Sequence, residues 1–161
     1  MVAPRSACAV SCRIGRAEDR DYITGLAART FVDFGDYRAI IDQWLDAPRV
    51  SSLLLEESDE RRGFALVAEH RALGFWRSPS AELVAIALEP DARGRGLGSL
   101  LLQAAEAAAC GFGAREMRLH TADQNHVARV FFAAAGYRER EGRTTYYPNG
   151  QPAIELRRSL S

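Results

Sequence analysis

The sequence predicts an α+β (mixed α/β) fold, with one predominantly antiparallel sheet carrying helices. Three observations lead there. Segments with strand and helix periodicity follow one another in the order β-α-α-β-β-β-α-β-α-β-β. The segment 81–88 is apolar after Glu82, which marks a strand central to its sheet. A glycine-rich loop then joins that strand directly to a long Leu/Ala helix.

Taken in order, Ser11 to Arg16 reads as the first strand. Asp19 to Thr30 alternates charged and apolar residues at helical spacing, with Asp19 in place to cap it. After Gly35, a second helix runs from about Asp36 to Asp46 and stops before Pro48. Val50 to Glu57 and Gly63 to His70 form a hairpin across the polar stretch Glu57 to Arg62. Ala81 to Leu88 is the central strand. A helix follows from Gly98 to about Cys110, ending near Gly111 and Gly113. Met117 to Thr121 is a short strand, and Asn125 to Ala135 a helix stopped by Gly136. Tyr137 to Glu141 and Ala153 to Arg158 close the sheet.

The 161 residues are 47% hydrophobic and suit one domain, with residues 1–10 as a loose tail. At this size folding buries roughly 70% of the surface the unfolded chain exposes, so a core forms without staples. The 21 basic and 21 acidic residues cancel, which argues against nucleic acid or an anionic membrane as a partner. Every basic residue is Arg, as a GC-rich bacterial genome favours, so no lysine amine is available for self-modification. Cys8, Cys12 and Cys110 are odd in number and lack Cys-x-x-Cys spacing; reduced thiols are expected, with no disulfide framework or zinc site. The sequence shows no signal peptide and no apolar run near the 18 or so residues that span a bilayer, so a cytoplasmic location is expected.

The loop Arg93-Gly94-Arg95-Gly96-Leu97-Gly98 carries the chemistry. Its glycines let the backbone curl with N–H groups inward, and the helix beginning there adds unpaired amides and a positive dipole end. A diphosphate needs many donors and no Cβ in its way. Arg93 and Arg95 add charge at the rim. A P-loop needs a lysine, which is absent, and the dinucleotide fingerprint fails because position 99 is Ser. A turn that merely links strand to helix fits three glycines equally well.

The surroundings point further. Arg93-x-x-Gly96-x-Gly98, after the apolar strand Leu83–Leu88 and Pro90, resembles the Gln/Arg-x-x-Gly-x-Gly/Ala signature of the GCN5-related N-acetyltransferase (GNAT) superfamily. Asn125-x-x-Ala128-x-x-Phe131-Phe132-x-x-x-Gly136-Tyr137 resembles that superfamily's second block. The likeness covers roughly residues 50–158 well and the first two helices loosely. It implies a splayed central sheet flanked by helices, and acetyl-coenzyme A as donor. It implies that the loop amides through Ser99 hold the diphosphate. Backbone groups of Ile86, Ala87 and Leu88 then meet the pantetheine arm, freed by a β-bulge. A freed N–H near Leu88 polarises the thioester carbonyl. Asn125 lies near the cofactor, and Phe131 and Phe132 pack beside it.

Two residues are candidates for the base that takes the amine's proton. Glu82 stands eleven residues before Arg93, a spacing similar to that of the catalytic Glu in the histone-acetyltransferase branch. On an apolar strand its pKa is expected to rise, unless it is solvated at the strand's start. His120 lies five residues before Asn125, where bacterial ribosomal-protein N-terminal acetyltransferases carry a Glu base; an imidazole suits that task, and a lone His on a strand also fits a structural role. Its position places it ahead of His70 and His126. Phe132 departs from the superfamily, because many members have a proton-donating Tyr there. Tyr146 and Tyr147 are the substitutes, in a Thr145-Tyr146-Tyr147-Pro148-Asn149-Gly150 hairpin resembling the one that shapes the acceptor groove in N-terminal acetyltransferases.

On the acceptor side the sequence offers Phe31, Asp33, Phe34, Asp36, Tyr37 and Trp44, an acidic and aromatic mix that suits an amine-bearing cation but fits a solvated helix face with aromatic anchors in the core at least as well. The hairpin tilts the expectation towards a peptide or protein amine over a small-molecule amine. Phe132 leaves open a different class, an acyl-coenzyme A sensor without turnover. A monomer and a homodimer both remain open.

Overall fold

The structure is a computed structural model and describes residues 9–71, 78–140, 145–147 and 149–161. Its elements are β1 (Val10–Ile14), α1 (Arg20–Thr30), α2 (Tyr37–Asp46), β2 (Val50–Glu57), β3 (Glu60–His70) and β4 (Ser80–Leu88). These are followed by α3 (Leu97–Gly111), β5 (Glu116–Ala122), α4 (His126–Ala134), β6 (Arg138–Glu139), β7 (Thr145–Tyr146) and β8 (Pro152–Ser159). They build one eight-stranded sheet in the order β1-β2-β3-β4-β5-β8-β6, with β7 also on β8. Every pairing is antiparallel except β4 with β5. The expected α+β class and its predominantly antiparallel sheet are therefore observed.

Two expected boundaries shift for local reasons. The β2–β3 turn is two residues long, not six: Glu57 pairs with Glu60, and Ser58 and Asp59 take φ of 52° and 66°. Positive φ at both central residues matches the right-handed twist of a tight hairpin. Asp19 does precede α1, but its carboxylate makes no bond to that helix. It is buried between Arg13 (2.7 and 3.0 Å) and Arg61 (2.8 Å) and accepts the Arg16 amide. Those pairings hold its pKa down at about 2, the Arg13 hydrogen bond leading and outweighing the opposing effect of burial. Cys8 and Glu141 lie outside the described residues.

The core has two halves, one on each face of the sheet. Ile23, Leu26 and Ala27 of α1 and Ile41 of α2 pack on Leu54, Phe64, Leu66, Ala85 and Ala87. On the opposite face Leu97, Leu101, Leu102, Ala105 and Ala109 of α3 meet Leu55, Ala65, Val67, Leu83, Met117 and Leu119. β4 serves both halves through an irregularity. Leu66 faces Ala85 while Val67 faces Leu83, so Val84 is one residue too many and a β-bulge forms. The bulge resets the alternation, and Leu83 and Ala85 point to opposite halves of the core.

Candidate functional site

The bulge coincides with a parting of strands. β4 pairs with β5 only from Ser80 to Leu83 against Glu116 to Leu119. Beyond that point β5 continues along β8, while among the described residues 85–88 pair with β3 alone and Val84 is the bulged residue. One edge of that segment is thus left without a ladder, and its N–H and C=O groups need partners from elsewhere. A cavity of about 600 Å³ occupies the gap, lined by Val84–Leu88, the glycine loop, His120 and Thr121, and Phe131 and Phe132.

At one end of the cavity the loop's glycines use their conformational freedom. Gly94 and Gly96 take φ of 70° and 78°, and a Cβ at either would meet nothing within 4 Å. Their requirement is conformational, not spatial. Gly96 caps α3 with no side-chain acceptor, leaving the first-turn amides of a 15-residue helix available. Gly98 is instead a matter of close packing, since its Cβ would approach the Phe131 ring at 3.4 Å. These donors and the open space beside them fit a diphosphate.

The flanking residues divide. Arg93 lines the cavity, but its guanidinium also folds back to donate to the Leu88 carbonyl at 3.1 and 3.2 Å, bracing strand to loop. Arg95 does not line the cavity and is ion-paired with Glu57, which offsets the charge expected at the rim. Leu97 is a core side chain and offers the site only its backbone. Ser99 lines the cavity. Asn125 does too, while its Oδ1 accepts from Ala128 N at 3.1 Å and caps α4.

The two candidate bases are neighbours. His120 lines the cavity; Glu82 does not and stands behind it, with Oε1 3.5 Å from the His120 Nδ1. The expected upward shift of the Glu82 pKa is not observed. Burial does push its carboxyl up, but hydrogen bonding to His120 and the Arg118 charge more than offset that, and the net shift is downward. Glu82 stays ionised because the sheet places three cationic or protonatable partners around it: His70 at 3.0 Å, Arg118 at 3.4 Å and His120. A second carboxylate, Glu155, lies directly across from His120 on β8, with Oε2 3.6 Å from the Nε2. Glu155 was not among the sequence candidates, and only the β5–β8 register reveals it.

Tyr147 lines the cavity and donates weakly to the His120 carbonyl at 3.4 Å. Burial pushes its hydroxyl well above the ordinary phenol range, so it stays protonated. The Tyr146 side chain lies outside the described residues, as does Pro148. Phe132 is buried in the cavity wall, edge-on to Phe131 at 5.0 Å between ring centroids, and offers no proton.

The acceptor end is aromatic without being acidic, which corrects the expected mix. Phe31, Phe34 and Tyr37 line the cavity; Asp33, Asp36 and Trp44 do not. The Asp36 carboxylate caps α2 through Ala39 N at 3.3 Å, and Trp44 packs against the α1–α2 half of the core. The Asp33 carbonyl accepts from Asn149 Nδ2 at 2.6 Å and from Gln151 Nε2 at 3.5 Å. With Phe34 against Tyr147 (5.0 Å between centroids), these bonds tie the α1–α2 connection to the last hairpin as a roof. Among the described residues the lining holds no carboxylate at all.

Comparison with known proteins agrees with this geometry. The sequence profile of the acetyltransferase (GNAT) family matches residues 17–137. A Bacillus subtilis (strain 168) protein named as a putative ribosomal protein bS18-alanine N-acetyltransferase is 26% identical over 141 residues, 86% of this chain and 88% of that one. Among solved structures, Ard1 from Thermoplasma volcanium superposes with a TM-score of 0.77 at 18% identity, over 94% of this chain and 98% of that one. An aminoglycoside N-acetyltransferase in complex with CoA gives 0.73 at 23%, over 90% and 97%.

Proposed function

The chain belongs to the acetyltransferase (GNAT) family, and from that premise we propose that it transfers acetyl from acetyl-coenzyme A to the α-amine of a peptide or protein. The observation that carries the acceptor is the lining of the cavity's acceptor end: the rings of Phe31, Phe34, Tyr37 and Tyr147 beside His120, with no carboxylate among the described residues. A polycationic amine such as an aminoglycoside or polyamine needs buried or rim carboxylates to replace its hydration. An uncharged chain bearing one terminal amine does not. The similarity to the bS18-alanine N-acetyltransferase relative supports the same choice.

In this reading the amides of residues 94–99 hold the diphosphate, and the free edge of 84–88 takes the amide groups of the pantetheine arm. The bound donor supplies an activated thioester. The chain positions the amine against it, which by itself removes much of the barrier. His120 takes the proton from the acceptor ammonium, and Glu82 and Glu155, at 3.5 and 3.6 Å from its two ring nitrogens, orient the ring. Tyr147, protonated throughout, is a hydrogen-bond donor in the wall, while solvent supplies the thiolate's proton. Asn125, Phe131 and Phe132 shape the donor side.

The test is a panel of acceptors incubated with acetyl-coenzyme A, followed by free thiol and product mass. Peptides with free α-amines should release thiol and gain one acetyl group on the α-nitrogen; His120→Ala should lower kcat by about 10²-fold or more. Turnover confined to polycationic small molecules would overturn the acceptor assignment. Phe132 favours a second reading, a sensor that binds without turnover, and binding with no thiol release across the whole panel would establish that reading instead.

A further inference from the structure

We propose that the proton lost by the acceptor leaves through a relay of side chains, His120 to Glu82 to His70, with His70 as its outlet to solvent. The inference rests on the acetyl-transfer reading above and concerns a residue outside the cavity. His120 is the only histidine in the described lining, and each of its ring nitrogens faces a carboxylate.

One of those carboxylates is a dead end. The Glu155 side chain is only 5% exposed, bonded by Arg157 at 2.5 Å with Arg140 at 3.9 Å, and Arg157 in turn pairs with Glu116. Arginines do not accept protons at working pH, so among the described residues no partner bonded to Glu155 carries one onward. The Glu82 side opens outward. Its Oε1 faces His120, and its Oε2 lies 3.0 Å from the Nε2 of His70, whose side chain is 37% exposed at the end of β3. Beside His70, Glu69 pairs with Arg71 at 3.2 Å.

Arg118 completes the arrangement, 3.4 Å from Glu82 Oε2 and 3.3 Å from His70 Nε2. Its fixed charge favours the carboxylate of Glu82, which stands between the two imidazoles. The balance is simple. As the amine nitrogen bonds to the acetyl carbon and the carbon–sulfur bond breaks, one proton moves from nitrogen to His120. It arrives on Nε2 while the proton of Nδ1 passes to Glu82, a half-turn of the carboxyl presents that proton to His70, and one proton leaves His70 for water. The 3.5 Å between His120 and Glu82 is an ion-pair separation that the transfer must shorten.

The experiment compares wild type, His70→Ala and His70→Gln by kcat, KM and pH profile in dilute buffer, then with added imidazole. Both variants should lose kcat by about tenfold, less than removal of a direct base costs, with KM for both substrates unchanged. Imidazole should restore the His70→Ala variant in proportion to its concentration and leave wild type unaffected. Unchanged kcat and profile in the variants, or a loss that imidazole does not restore, would overturn the relay while wild-type turnover keeps the acetyl-transfer reading intact. Wild type without amine-dependent thiol release overturns that reading and the relay together.

Discussion

Asp19 and Glu82 are both carboxylates taken largely out of water, and both are held ionised by neighbours from other strands. For Asp19 the partners are arginines, and its purpose is architectural: it fastens β1 and β3 at the start of α1. Asp19→Ala leaves Arg13 with Glu56 alone, removes the ion pair of Arg61, and should cost about 1.5–3 kcal/mol in denaturant unfolding. The pH dependence follows from the same pairing. Its folded pKa lies near 2, below the ordinary aspartate value of about 3.9, so its stabilisation is complete above the unfolded value. It is lost as pH falls through the folded one. Wild type should therefore lose on the order of 2 kcal/mol more than Asp19→Ala between about pH 5 and pH 1, measured by urea midpoints. At this scale the sequence reveals the chemistry and hides the pairing. Glu82 and His120 stand out by position alone, but Asp19 looks like a helix cap and Glu155 like an ordinary strand residue. Partners 43 to 6 positions away, such as Glu56 and Asp19 around Arg13, depend on register.

The elements divide in the same way. The helix after the glycine loop and the strand before it are legible because apolar content and punctuation mark both. The bulge is not. Leu83-Val84-Ala85-Ile86-Ala87-Leu88 is apolar at every position, so an inserted residue leaves no break in an alternation that was never visible. The turn at Ser58 and Asp59 lacks glycine, which is why the sequence suggests a longer connection there. The loop itself is open to a direct test. Gly96→Ala places a Cβ at φ of 78°, a strain of about 1–2 kcal/mol, and turns the first amides of α3. Acetyl-coenzyme A affinity should fall by calorimetry while the acceptor KM is retained; an unchanged affinity would detach the loop from donor binding.

For the whole molecule, α1 and α2 pack mainly on β2–β4, and no described helix is long and apolar enough to cross a membrane. On that same face β5 and β8 carry His120, Arg118, Glu155 and Arg157. The order of elements is legible because each follows its own hydrophobic period. The acceptor chamber is not, because α1 and α2 turn Phe31, Phe34 and Tyr37 inward and direct the neighbouring aspartates to a cap and a roof. If the gap between β4 and β5 receives the donor, coenzyme A ties together the stretches of the two strands beyond Leu83 and Leu119, where their ladder has ended. At 100 times its Kd it should add about 2.7 kcal/mol to global stability, read as a rise in Tm. No rise would exclude the gap as its site.

The Arg93 guanidinium on the Leu88 carbonyl has a kinetic meaning as well. A cradle braced by its own chain is shaped when the protein folds, so its ordering entropy is settled before any ligand arrives. Association of the donor should then be a single fast phase without a slow closing step, and Arg93→Ala should introduce one. The guanidinium matters here for stiffness, and its charge is secondary.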